Sequence, residues 1–131
     1  MSQRILIVED QDDNRAILRD LLSAAGFELI EATTGEEGVI LAERERPALI
    51  LMDIQLPVID GYEATRRIKR KAALRSIPII AVTSYALSGD EAKSRAAGCD
   101  AYVSKPFSPR HLLAKVRELL PSGGDPCASR P

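Results

Sequence analysis

At 131 residues the chain fits one domain, and 45% hydrophobic with 28% charged residues is an ordinary globular balance. Eighteen Lys plus Arg against nineteen Asp plus Glu leave a net charge of −1, which argues against the basic surface of a nucleic-acid or anionic-membrane binder. No apolar run reaches membrane-span length, the opening MSQRILIVED runs into a strand pattern rather than a signal peptide, and the two cysteines, Cys99 and Cys127, suggest no disulfide; the expectation is a cytoplasmic protein.

Five short apolar runs recur along the chain: RILIV (4–8), ELIEA (28–32), ALILM (48–52), PIIAV (78–82) and AYVS (101–104). The first, third and fourth are continuously apolar, the mark of parallel strands covered on both faces. The second alternates and reads as an edge strand. Helix-length segments separate them. Residues 12–25 carry Ile17, Leu18, Leu21, Leu22 and Ala25 at helical spacing, with Gly26 as the stop. Residues 35–46 carry Val39, Ile40 and Ala42 and end before Pro47. Residues 60–70 open on Asp60 as N-cap. Ser88 and Glu91 form a capping box for a helix ending near Gly98, whose apolar residues are only Ala92, Ala96 and Ala97. Ser108 followed by Pro109 opens a Leu-rich last helix through Leu120. The reading is α/β, a (βα)5 doubly wound fold over residues 1–120, with 121–131 (PSGGDPCASRP) as a flexible tail.

In open α/β sheets, chemistry sits beyond the carboxyl ends of the strands. Glu9 and Asp10 follow the first run, Asp53 the third, Thr83 the fourth and Lys105 the fifth. Singly each has an ordinary explanation as a cap, a turn former or a solvated charge. Together they supply what phosphoryl transfer needs. Crowded carboxylates repel unless a cation sits among them, and hard oxygen donors suit Mg²⁺ (or Mn²⁺). Asp10 and Asp53 are expected to bind it directly, Glu9 directly or through water, and the Gln55 backbone carbonyl to add a ligand. Asp53 is the candidate nucleophile, Lys105 a point charge for a phosphoryl oxygen, and Thr83 a hydrogen-bonding hydroxyl.

These residues, in IVEDQDDN, LMDIQLPVIDG, AVTSYA and YVSKPF, resemble the receiver domain of two-component response regulators (CheY-like) over about residues 4–120. The stretch GDEAKSRAAGCDAYVSKP is similar to stand-alone regulators of the DivK type. The resemblance implies a five-stranded flavodoxin-like sheet of order 2-1-3-4-5, with Asp53 as phosphoacceptor, Asp10 as metal acid and Glu9 as its neighbour. It also implies Lys105 as the site lysine, Thr83 as switch hydroxyl, Tyr102 as switch aromatic and a cis Lys105–Pro106 peptide. Glu9 departs from the commoner Asp. The implied donor is a histidine kinase or histidine phosphotransfer protein. Output is implied by protein contact on the face made by helix 88–97, strand 101–104 and helix 108–120. The protein would promote its own phosphorylation and dephosphorylation without being a small-molecule enzyme. Gln55 and Tyr85, two positions beyond Asp53 and Thr83, would tune the phosphoryl lifetime.

Competing readings are weaker. A haloacid-dehalogenase-like phosphatase needs a second acid where Asp53-Ile54-Gln55 has none, and a flavodoxin-type phosphate loop would not be as acidic as EDQDDN. A receiver excised from a hybrid kinase remains an alternative. His111 is the single histidine, so the phosphohistidine must come from a partner. The basic run 66–71 (RRIKRK) reads as a solvated helix face and Cys99 as a small buried residue.

Overall fold

A computed structural model describes residues 3–83, 90–105 and 108–120. The capping box at Ser88, the Lys105–Pro106 peptide, Tyr85 and the 121–131 tail with Cys127 lie outside the described residues. Among the described residues five strands and five helices alternate: β1 (Arg4–Val8), α1 (Asp12–Ala24), β2 (Glu28–Ala32), α2 (Gly35–Glu45), β3 (Leu49–Asp53), α3 (Gly61–Arg70), β4 (Ile79–Thr83), α4 (Asp90–Ala97), β5 (Ala101–Ser104) and α5 (Pro109–Leu119). A 3-10 turn, Ala72–Leu74, follows α3. The sheet order is β2-β1-β3-β4-β5 with every pair parallel, which places β2 at an edge as its alternation suggests.

The apolar runs are continuous because both sheet faces are covered. Ile5, Ile7, Leu49, Leu51, Ile80, Val82 and Val103 pack against Leu18 and Leu22 of α1 and Leu112 and Val116 of α5. Leu6, Val8, Ile50, Met52, Ile79 and Ala81 face the opposite layer, with Ala42 of α2 and Ala64 and Ile68 of α3. Successive strand residues alternate between the two layers, so one strand feeds two cores.

Several local readings shift. Strands β3 and β4 each begin and end one residue later than the apolar runs, so Asp53 and Thr83 are the last strand residues rather than the first beyond them. Both are polar, yet the backbone ladder includes them, pairing Asp53 with Val82 and Thr83 with Ser104. Ile17 and Ile40, read as inward-facing, are exposed. Helix α2 instead presents Gly35, Gly38 and Ala42 inward, because it lies so close to β1 that a Cβ at Gly38 would press into Val8. On α4, Ala92 and Ala96 are exposed, while Ser94 and Ala97 are buried.

The caps follow the sequence logic. Asp60 accepts from the Glu63 N–H and Ser108 from the His111 N–H, each satisfying a helix N-terminal donor. Gly26 takes φ +97° just past α1, where its N–H and that of Phe27 close the helix onto the Ser23 and Leu22 carbonyls.

The basic run is less solvated than its composition suggests. Arg66 and Arg67 pair with Glu63, and Lys71 with Glu43. The Lys69 ammonium donates to the Arg75 and Ile77 carbonyls and to Asp100. That binding ties the end of α3 to the start of β4 and to the turn before β5.

In the loop between β3 and α3, Val58 holds φ +70° while 90% exposed. A β-branched residue in left-handed geometry is strained, and here no burial offsets the cost. Val58→Gly should therefore stabilise the fold by about 0.5–1 kcal/mol, read as a higher urea midpoint at unchanged slope. An unchanged or lower midpoint would contradict the strain.

Candidate phosphoacceptor site

The strand order brings the ends of β1, β3, β4 and β5 side by side at one edge of the sheet. Glu9 continues the line of β1, its N–H bonded to the Ala32 carbonyl at 3.0 Å. Asp53 ends β3, Thr83 ends β4, and Lys105 follows β5. Glu9, Asp10 and Asp53 each offer a carboxylate oxygen within 4.8 Å of the other two. The Lys105 ammonium lies 3.1 Å from Glu9 Oε1 and 3.5 Å from Asp53 Oδ1.

Burial sets the electrostatics. Glu9 and Asp53 are 1% and 3% exposed, whereas Asp10 is only half-buried. Glu9 spends both oxygens internally: Oε1 takes Lys105, and Oε2 accepts the Gln11 N–H at 3.1 Å. Asp53 Oδ1 accepts the Gln55 N–H at 3.2 Å. Desolvation and then the Glu9 charge raise the Asp53 carboxyl, Lys105 and the Gln55 N–H partly offset them, and the outcome is a pKa of about 7. One ammonium does not neutralise this group of carboxylates.

Close backbone packing sets where Asp53 stands. The Gly61 N–H donates to the Ile54 carbonyl at 3.0 Å, and a Cβ at Gly61 would collide with the Asp53 carbonyl oxygen and the Ile54 Cα. The start of α3 therefore rests directly on the end of β3, an approach open only to glycine. The sequence hinted at this only through Asp60-Gly61, a turn dipeptide ahead of a helical pattern.

Of the residues singled out from sequence, Glu9, Asp10, Asp53 and Lys105 form one cluster. Thr83 stands beside it, 1% exposed, its carbonyl accepting the Lys105 N–H at 2.6 Å. Gln55 is exposed, with its N–H turned back to Asp53. Tyr102 lies near the start of β5, back from the carboxyl edge and opposite Ala81, half-buried on the α4 side of the sheet. With Ser94, Arg95, Cys99 and Lys115 it lines a cavity of about 190 Å³. Cys99 is 8% exposed, and burial pushes its thiol up to about 11, which suits a structural rather than a reactive residue.

The raised Asp53 carboxyl has a consequence for stability. It binds its proton more tightly in the folded chain than in the unfolded one, where the pKa is near 3.8. Without divalent metal, the folded state should lose stability as pH climbs from about 4 to about 7, by up to about 4 kcal/mol in total. Asp53→Asn should flatten that decline and unfold at a higher temperature than the wild type at pH 8. Thermal unfolding of both proteins across this range in EDTA checks it; identical profiles would contradict the electrostatic account.

Comparison with known proteins bears on this geometry. Residues 5–117 match the response regulator receiver domain. The polar-differentiation response regulator DivK of Brucella anthropi is 45% identical over 120 residues, covering 92% of this chain and 98% of that protein. The receiver domain of sensor histidine kinase PA1611 from Pseudomonas aeruginosa, solved with magnesium in its active-site cleft, is 39% identical. It superposes with a TM-score of 0.85 over 91% of this chain and 98% of its own. The chemotaxis protein CheY4 of Vibrio cholerae gives 0.87 at 26% identity, over 92% of this chain and all of its own. With a matching sequence, a matching sheet order and an acidic edge at the strand ends, the chain belongs to the response regulator receiver domain family, the signalling phosphoacceptors of two-component systems.

Proposed function

We propose that Asp53 is the phosphoacceptor and that Glu9, Asp10, Thr83 and Lys105 complete its site. The observation carrying this reading is the Lys105 ammonium held between Glu9 and Asp53, beside Asp10, at the carboxyl edge of the sheet. The Asp53 carboxylate attacks the phosphorus of a partner's phosphohistidine. A P–O bond forms as the P–N bond breaks, and the electron pair stays on the imidazole nitrogen. Lys105 neutralises charge on the transferred group, and Thr83 donates its hydroxyl to one phosphoryl oxygen.

The donor set fits Mg²⁺: three carboxylates converge within reach of one ion, all hard oxygen donors, with too little positive charge among them. Asp10 and Asp53 are the direct ligands, joined by the Gln55 backbone carbonyl. Glu9 stands behind them or acts through water, because its two oxygens already hold Lys105 and Gln11. When bound, the ion cancels repulsion among the carboxylates and between them and the incoming phosphoryl oxygens; Mn²⁺, with the same oxygen preference, would serve as well.

The partners are a histidine kinase or histidine phosphotransfer protein as donor and a downstream protein on the face of α4, β5 and α5, in the cytoplasm. Among the described residues no helix is long and apolar enough to cross a membrane. Thr83 drawn toward the phosphoryl group would open space for Tyr102 to turn inward, beside the cavity it lines. Helix α4 is suited to follow, because it buries only Ser94 and Ala97 among its described side chains, and Ser94 Oγ is buried without a hydrogen-bond partner. Slow self-dephosphorylation is part of the same reading.

Incubation with acetyl phosphate and Mg²⁺, followed by intact-mass analysis, tests the assignment. The wild type should gain one phosphoryl group. Asp53→Asn should gain none, and EDTA should suppress the gain in the wild type. Lys105→Ala should retain Mg²⁺ binding but slow phosphorylation by at least about tenfold. Equal labelling of Asp53→Asn would overturn the assignment.

A further inference from the structure

We infer that Arg15 is a positioning residue for the acidic loop, holding Glu9 to Gln11 so that the Asp10 carboxylate faces Asp53. The inference rests on the proposed Mg²⁺ site and adds a residue to it. Helix α1 begins without a side-chain cap from Gln11, so its first turn has no local anchor of the usual kind. Arg15 supplies one from inside the helix. Its Nη1 donates to the Glu9 carbonyl at 3.1 Å, its Nη2 to Asp12 Oδ1 at 2.6 Å, and its Nε to Glu31 Oε1 at 3.2 Å. Three donors of one guanidinium therefore reach the end of β1, the first turn of α1 and the edge strand β2. The side chain is only 14% exposed, so this is no ordinary surface ion pair.

Asp10 lies between the two fixed points of this arrangement. On its N-terminal side, Arg15 pins the Glu9 carbonyl. On its C-terminal side, the Gln11 N–H is pinned by Glu9 Oε2. The backbone flanking Asp10 is thus held from both directions, once by Arg15 and once by Glu9, whose other oxygen is on Lys105. Glu31 fixes the guanidinium in turn, and Arg19 braces Glu31 at 2.8 Å through Oε2. A lysine carries a point charge and cannot reproduce the three-way fork. Residues that orient metal ligands from behind commonly change metal affinity by about 10–100-fold when lost.

The alternative is that Arg15 only stabilises the fold. Mg²⁺ titration followed by amide NMR, together with amide hydrogen exchange in EDTA, separates the two. Arg15→Ala should weaken Mg²⁺ binding by about tenfold and speed exchange at Asp10 and Gln11, while β4 amides keep wild-type rates. Arg15→Lys should recover part of the loss. Glu31→Gln should fall between, and keeps the test available if Arg15→Ala fails to fold. Arg19→Gln removes a brace one contact farther out and should weaken Mg²⁺ binding less than Glu31→Gln does. Exchange accelerated uniformly across the sheet, with Mg²⁺ affinity unchanged, would overturn the inference. A wild type that binds no Mg²⁺ would overturn the metal-site reading instead, and the exchange pattern would still decide whether Arg15 holds the loop.

Discussion

The Glu9 and Asp53 carboxylates are buried side by side and share one lysine. At about 4 Å and an effective dielectric near 20, each such pair interacts by about 4 kcal/mol, so the repulsion between the acids is comparable with either attraction to Lys105. Adding Asp10 leaves the cluster short of positive charge. A fold selected for stability alone would place an apolar residue at Asp53, because the position is 3% exposed and flanked by apolar strand residues. The deficit is instead what a divalent cation and a phosphoryl acceptor require, and the rest of the structure serves to keep it in place.

The supports are local and few. Parallel pairing of Asp53 with Val82 carries the acceptor to the last rung of the ladder, and Gly61 lets α3 close against the same carbonyl. Lys105 reaches the cluster because its N–H bonds back to Thr83, which fixes the segment leaving β5 against the end of β4. The fixed part of the site thus belongs to β1 and β3, with Thr83 at the end of β4 as the group proposed to shift. The elements proposed to move, Tyr102 and α4, lie one strand farther out, where burial is thinner. A small displacement of Thr83 could therefore reach the surface without disturbing the acceptor.

Much of this was legible in the sequence, for identifiable reasons. Continuous apolar runs reveal doubly covered strands, and the residues after them reveal the site, because parallel strands all end at one edge. The errors have equally definite causes. Asp53 and Thr83 looked like loop residues since their side chains are polar, although ladder membership is a property of the backbone. Ile40 fits an apolar helical stripe, but α2 packs through Gly35, Gly38 and Ala42, and the only trace of that in the sequence is the spacing of small residues. The Lys105–Glu9 pair spans 96 positions, and strand order from the family resemblance, not any local pattern, brings its partners together. Arg15 escaped notice because a D-x-x-R spacing on a helix is ordinarily a surface pair, and its bond to the Glu9 carbonyl exists only in three dimensions.

The central claim concerns one atom group, the Asp53 carboxylate, as the place where the phosphoryl group arrives. Borohydride reduction of the protein after phosphorylation converts an aspartyl phosphate to homoserine, and peptide sequencing then locates it. The account predicts homoserine at position 53 and nowhere else. Homoserine at another aspartate, or a reduced residue at Glu9, with position 53 unmodified, would contradict it.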